Sequence, residues 1–255
     1  MLVSSEAQRR VHRTSTGGAS RPAWQPVNLV SLGGKHTGVA YAATENDALI
    51  NAIFFDYDGV LTTDKTGSLT TCRYVSQAIG IDVLAVQAAF RPHNEELTLG
   101  KTTHVEIWPA ICHTLGRDVS FGLLREAFVS TPINAGMFSL ARGLKGKYSL
   151  GIITDNKKDR IDHLKSCQGL ALLFDPIVVS SEVGSSKQNT EIFCGAMNYL
   201  DLEPETCVFI DNNRANLVAP TALGMQTIFH DDEKNDIAGL AKALVALGVV
   251  VENAA

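Results

Sequence analysis

Two aspartates two residues apart, Asp56 and Asp58, follow the short apolar run Asn51-Ala-Ile-Phe-Phe and precede Gly59. Carboxylates set against a buried strand are costly unless a cation or hydrogen bonds compensate them. At this spacing one carboxylate can attack as a nucleophile while the other carries a proton to or from the reacting group. Gly59 permits a tight turn and a close approach of backbone to ligand. Three more positions fit the same chemistry. Thr154 ends the run Tyr148-Ser-Leu-Gly-Ile-Ile, where its hydroxyl and the N–H groups that follow can hold anionic oxygens. Lys187, in the polar stretch Glu182-Val-Gly-Ser-Ser-Lys, can offset the charge of both a nucleophile and an anionic substrate. Asp211 ends the run Cys207-Val-Phe-Ile and can meet a cation facing Asp56. Each residue also has a plain reading, as a loop-capping acid, a helix cap or a solvated lysine. Their order and shared placement favour the chemical one.

These positions require strands whose carboxyl ends converge. Five short apolar runs, ending at Asp56, Thr154, Ser180, Asp211 and Phe229, read as buried parallel strands. Helix-spaced apolar residues fill 157–167, 189–200, 214–223 and 236–247 between and after them. Strands alternating with helices predict a doubly wound, mainly parallel α/β sheet, with its site at the strands' carboxyl ends. One stretch breaks the alternation. Between about Thr66 and Ala141 the apolar spacing is helical (75–79, 83–90, 105–115 and 121–129), which predicts a helical cap inserted after the first strand. Thr131-Pro132 and the Gly143 region are expected to mark its return. The expected organisation is an extension over 1–48, a core over 49–65 and 140–255, and a cap over 66–139.

The chain has 255 residues and a net charge of -5, so it does not advertise a nucleic-acid partner. No apolar run approaches the roughly 18 residues that span a bilayer, so no membrane role is expected. The five cysteines are odd in number and form no CxxC pair, which speaks against a disulfide framework or zinc site and for a reducing, cytoplasmic setting. Up to Ala43 the only acid is Glu6, set against Arg9, Arg10, Arg13, Arg21 and Lys35. That composition reads as a flexible tail, with an organelle transit peptide as the alternative.

Taken together, the segment from Phe54 to Leu61, Ile152-Ile-Thr-Asp155, Ser181-Glu-Val-Gly184 with Lys187, and Phe209-Ile-Asp-Asn-Asn-Arg-Ala-Asn-Leu217 resemble the four motifs of the haloacid dehalogenase superfamily. The phrase Leu223-Gly-Met-Gln-Thr-Ile228 adds to the likeness, and Gly100 to Trp108 is similar to the start of a cap helix. The resemblance lies with helical-cap members, such as the phosphatase domain of epoxide hydrolases and sugar-phosphate phosphatases, and implies a Rossmann-like core. It also implies that Asp56 forms an aspartyl-phosphate and that Asp58 is the acid and base. Thr154 and Lys187 would position the transferring group. Mg2+ would be held by Asp56, the Asp58 carbonyl, Asp211 and Asn212. The implied substrate is a small phosphorylated metabolite, with Gly59, Asp155 and Asn156 in contact with it.

Two positions depart from the pattern. The family usually has two acids in the fourth motif, where this chain has Asp211-Asn212, and often Asn where it has Asp155. A neutral Asn212 should weaken metal binding. Both departures leave open a non-catalytic binding protein. A phosphomutase shares the nucleophile and acid. A dehalogenase is disfavoured because no leaving alcohol would need Asp58. In the cap, Arg73, Arg91, His93, Lys101, His104 and Trp108 are candidates to face substrate, with surface charge or cap packing as the plain reading. His163 and His230 are expected at the surface, and Tyr57 in packing.

Overall fold

The computed structural model describes residues 49–251; the extension expected over 1–48 lies outside them. Five strands form one parallel sheet in the order β3-β2-β1-β4-β5: β1 (Ala52–Phe55), β2 (Ser149–Thr154), β3 (Ile177–Val179), β4 (Cys207–Asp211) and β5 (Gln226–Phe229). All five expected strands are present. Every residue of β1 and β4 is buried, as strands covered on both faces require. Side chains alternate between those faces: Ile53 and Phe55 join one apolar cluster, Ala52 and Phe54 the other.

The helices are α1 (Gly67–Ile79), α2 (Val83–Phe90), α3 (Asn94–Thr98), α4 (His104–Leu115), α5 (Phe121–Val129) and α6 (Ala135–Leu144) before β2. Then come α7 (Lys158–Gln168), α8 (Ser180–Val183), α9 (Glu191–Leu200), α10 (Val218–Leu223) and α11 (Ile237–Ala246). α6, α7 and α11 pack on one face of the sheet, α9 and α10 on the other.

Helices α1 to α5 enclose an apolar cluster of their own, with Val75, Val86, Trp108, Ile111, Leu124 and Phe128 inside it. Apolar spacing alone detects only the second half of α1. The helix begins at Gly67 because the Thr66 side chain accepts from Leu69 N at 3.4 Å, and it ends at Gly80 in the left-handed region. α4 starts with a reciprocal cap between Thr103 and Glu106. The two chain passages that join this layer to the sheet run side by side: Thr63 N donates to Pro132 O (3.0 Å) and Asn134 N to Leu61 O (2.8 Å). Gly143, expected to mark a return to the core, instead lies inside α6, whose Met137, Leu140 and Leu144 are buried against the sheet. Among the described residues no helix is long and apolar enough to cross a membrane.

The order of the strands reverses direction between β1 and β4, and parallel sheets open a crevice at such a point. Register carries the pairing up to Phe55–Ile210, so the next residues, Asp56 and Asp211, emerge side by side. On the other flank Gly151 lies opposite Phe54. A Cβ at Gly151 would stand 2.6 Å from Phe54 Cδ1 and 3.0 Å from the Pro176 carbonyl. Gly151→Ala should therefore overpack the sheet and lower unfolding free energy by about 1–3 kcal/mol. An unchanged midpoint and slope in urea denaturation would show that the sheet yields freely here.

Candidate active site

Lys187 is the hub of the site. Its Nζ donates to Asp56 Oδ1 at 2.8 Å and to Asp211 Oδ2 at 2.7 Å, and all three residues are buried. Asp56 also accepts from Tyr57 N at 2.7 Å. Asp211 accepts from Asn213 N (2.7 Å) and from Asn216 Nδ2 (3.2 Å to each oxygen). One ammonium shared by two carboxylates leaves a surplus negative charge. Burial accordingly pushes the Asp56 carboxyl up to about 7; Lys187 opposes the rise and Asp211 adds to it. Burial works against the charge on Lys187, yet Asp56 and Asp211 hold its pKa above the ordinary value. Lys187 itself is aimed by Asp155, whose Oδ1 accepts the Lys187 backbone N–H at 2.9 Å. That contact explains how an acid is accommodated after Thr154: it anchors the lysine loop.

Asp58 belongs to a second cluster. Arg160 grips it with both nitrogens, Nη1 to Oδ2 at 2.7 Å and Nη2 to Oδ1 at 2.9 Å. Asn156 Nδ2 adds a 2.9 Å bond to Oδ2 and lies 3.3 Å from Thr154 Oγ1. Asn156, expected to touch substrate, thus spends its amide on Asp58 and Thr154. Arg160 was not singled out from sequence. A signal existed: a cation in the first turn of a helix runs against the helix dipole, and α7 has Lys158 and Arg160 there with Lys157 at its cap. Ser180 was also missed. Its hydroxyl accepts from Asn156 N (3.0 Å) and donates to Thr98 O (2.8 Å), tying the Thr154 loop to the helical layer.

Both clusters open on one cavity of about 910 Å³, lined also by Thr154, Asp155, Asn156 and Asn212. Gly59 and Asp211 do not line it. Gly59 has φ 79°, and a Cβ there would overlap the Asn212 carboxamide, so the tight turn also seats Asn212. Asp211 sits fully buried beneath Lys187. From the helical layer, Arg91 and His104 reach the cavity, whereas Arg73, His93, Lys101 and Trp108 do not. Trp108 packs edge-on to Phe90 and Phe121 and donates to Val119 O at 2.7 Å. His104 lies between the rings of Phe90 and Phe128, with Nδ1 2.8 Å from Asp159 on α7. Tyr57 points into packing, its hydroxyl donating to Gln168 Oε1 at 2.6 Å. His230 corrects an expectation: it is buried, not at the surface. It directly follows β5, its N–H donates to Asp211 O at 2.9 Å, and its ring lies 3.2 Å from Asn235 Oδ1.

Among the described residues no three His, Cys, Asp or Glu side chains gather as a metal cluster. At the strand ends, the metal-capable groups that line the cavity, Asp56, Asp58 and Asn212, offer oxygens. Asp56 Oδ2 has no hydrogen bond among the described residues, and neither does the Asn212 carboxamide. An all-oxygen set with one or two carboxylates fits a hard cation that keeps several waters.

The parallel sheet and its reversal point define the doubly wound α/β, Rossmann-like class, here with carboxylates at the strand ends. The model of the haloacid dehalogenase-like hydrolases matches residues 50–224, and the chain belongs to that family. Over 211 residues it is 26% identical to bifunctional epoxide hydrolase 2 of Rattus norvegicus, covering 74% of this chain but only 38% of the rat protein. It is 28% identical over 206 residues to the glyceraldehyde 3-phosphate phosphatase of Methanothermobacter thermautotrophicus, covering 72% of this chain and 87% of that enzyme. A HAD-like family hydrolase from Porphyromonas gingivalis superposes with a TM-score of 0.63 at 24% identity, over 77% of this chain and 98% of the other. A HAD family enzyme from Bacteroides thetaiotaomicron, solved in complex with magnesium and inorganic phosphate, gives 0.59 at 19% identity, over 72% and 95%.

The Asp56 carboxyl has its folded pKa, about 7, above the unfolded 3.8. The folded state therefore keeps a proton that the unfolded state has lost between those values. Stability falls as pH rises through this window, by at most ~1.4 kcal/mol per pH unit. In EDTA, wild type should lose more stability than Asp56→Asn between pH 5 and pH 7. Parallel stability curves from chemical denaturation would contradict this account of the Lys187 hub.

Proposed function

We propose that this hydrolase is a magnesium-dependent phosphatase acting on a small phosphorylated metabolite through an aspartyl-phosphate on Asp56. One observation carries the reading: an Asp56 oxygen free of protein hydrogen bonds faces the same cavity as Asp58, with Lys187 bracing Asp56 from behind. In the first step an Asp56 oxygen bonds to phosphorus as the bond from phosphorus to the ester oxygen breaks. Asp58 gives its proton to the departing oxygen. In the second step Asp58 takes a proton from water, whose oxygen bonds to phosphorus. The bond to Asp56 breaks, releasing inorganic phosphate. Thr154 and Lys187 orient the transferring oxygens and offset their charge. The Asp56 carboxylate, the Asp58 carbonyl and Asn212 would hold Mg2+, with Asp211 adding negative charge from beneath Lys187; when bound, the ion would supply positive charge beside the phosphoryl oxygens.

Asp58 has to turn out of the Arg160 grip to meet a departing oxygen, because both of its carboxylate oxygens are engaged there. Arg160 and Asn156 accordingly set where Asp58 rests between turnovers. Helices α1 to α5 would serve as the cap expected over 66–139, and the bonds Thr63 N to Pro132 O, Asn134 N to Leu61 O and Ser180 Oγ to Thr98 O lie where a hinge would be.

With p-nitrophenyl phosphate and magnesium, Asp56→Asn should lower kcat by on the order of a thousandfold or more, and EDTA should abolish wild-type turnover. Equal background rates in both proteins would favour the binding-protein reading instead. Asn212→Asp should tighten magnesium binding roughly tenfold, judged from the activation curve. An unmoved half-saturation point would remove Asn212 from the proposed ligand set.

A further inference from the structure

The cavity is far more cationic than the chain around it. Six cationic side chains and three carboxylates line it, in a protein whose net charge is -5. Two of the cations are compensated: Lys187 by Asp56 and Asp211, Arg160 by Asp58. The other four, Lys65, Arg91, Lys157 and Arg214, have no carboxylate partner among the described residues. Add a divalent cation, a phosphate dianion and Asp211 to the lining charges, and two positive charges still remain unmatched. A simple phosphomonoester with a neutral leaving half does not use them.

Lys65, Arg91 and Arg214 are exposed, so water and salt screen them; Arg214 Cζ lies over the Phe229 ring, 3.7 Å from its centroid. Lys157 differs. It is half-buried, and it occupies the cap position of α7 without capping it, a place that favours Ser, Thr, Asp or Asn and disfavours a cation. It follows Asn156, whose amide holds Asp58, so it lies on the side where Asp58 would meet the leaving oxygen. Cys72 of α1 lines the same cavity and feels the Lys157 charge. Burial, then the nearby Arg160, pulls the Lys157 pKa down to about 8, as expected of an ammonium that lacks a close counter-ion.

We propose that the substrate is a phosphomonoester whose leaving half carries a second anionic group, and that Lys157 is the side chain that selects it. This rests on the phosphatase reading of Asp56. The second group is a carboxylate or another phosphate; both present the anionic oxygens that an ammonium recognises. The exposed cations at the rim raise the local concentration of such a trianionic or tetraanionic substrate.

The test measures competitive inhibition of p-nitrophenyl phosphate turnover in magnesium. One pair is 3-phosphoglycerate against glycerol 3-phosphate, which probes a carboxylate. The other is fructose 1,6-bisphosphate against fructose 6-phosphate, which probes a second phosphate. In at least one pair the more anionic member should bind about tenfold or more tightly, and the responding pair identifies the group. Lys157→Gln should collapse that ratio to within about threefold while Lys157→Arg preserves it. Because the readout is a ratio within one sample, partial misfolding of a variant cancels. If wild type turns over p-nitrophenyl phosphate in an Asp56-dependent manner but neither pair is discriminated, the second-anion proposal is wrong and the phosphatase reading stands. A ratio that survives Lys157→Gln removes the role of Lys157. Absence of Asp56-dependent turnover overturns both.

Discussion

Lys187 stands between two buried carboxylates that neighbouring strands deliver to the same point. Asp56 ends β1, Asp211 ends β4, and parallel register makes them adjacent. Charges this deep persist only within a satisfied network, since removing one partner strands another without water. The surrounding residues meet that demand. Asp155 fixes the lysine's backbone, Asn213 and Asn216 hold Asp211, and Tyr57 N–H takes the Asp56 oxygen that Lys187 also binds. Among the described residues the other Asp56 oxygen has no hydrogen bond, Asp56 lines the cavity, and the proposed chemistry starts from that remainder.

A second network restrains Asp58 by different means. Arg160 reaches it from the first turn of α7, against the helix dipole, and Gly67 at the start of α1 leaves room for the guanidinium, which a Cβ there would overlap. The two networks touch the helical layer differently. Lys187 is held wholly by the sheet and its loops, whereas Arg160 also donates to Thr131 at 3.2 Å and packs beneath α1. A shift of the helices would therefore reach Asp58 and leave the Asp56–Lys187–Asp211 hub in place.

Much of this was legible because strands buried on both faces write themselves as continuous apolar runs, and a polar residue ending such a run has one place to go. Asp56, Thr154 and Asp211 were found that way, and Lys187 through the loop before α9. Helices of the inserted layer were harder. The first half of α1 is Gly-Ser-Leu-Thr-Thr, with little apolar period, and its start is set by the Thr66 cap. α6 was hidden by Gly143, a residue that breaks helices by propensity but that packing against the sheet overrides. Arg160 was not found because its partner, Asp58, lies 102 residues earlier in the chain. Spacing identifies neighbours along one element; it does not reveal which distant acid a helical cation will meet. His230 was misjudged for the same reason, since its burial comes from the turn after β5 and not from any apolar pattern of its own.

The departure at Asn212 gains a physical sense from the same charges. Asp56 already holds its proton to about 7 because burial and Asp211 outweigh the help from Lys187. A second acid at 212, beside Gly59 and next to Asp211, would add another like charge and push Asp56 further toward its neutral form. A neutral amide avoids that, while its oxygen remains a legitimate donor to a hard cation. Under the proposed function the cost would be a weaker hold on magnesium, since a carbonyl dipole attracts a cation less than a carboxylate does. What the substitution trades, under that function, is metal affinity against ionisation of Asp56. That balance is specific to a site where one lysine serves two carboxylates.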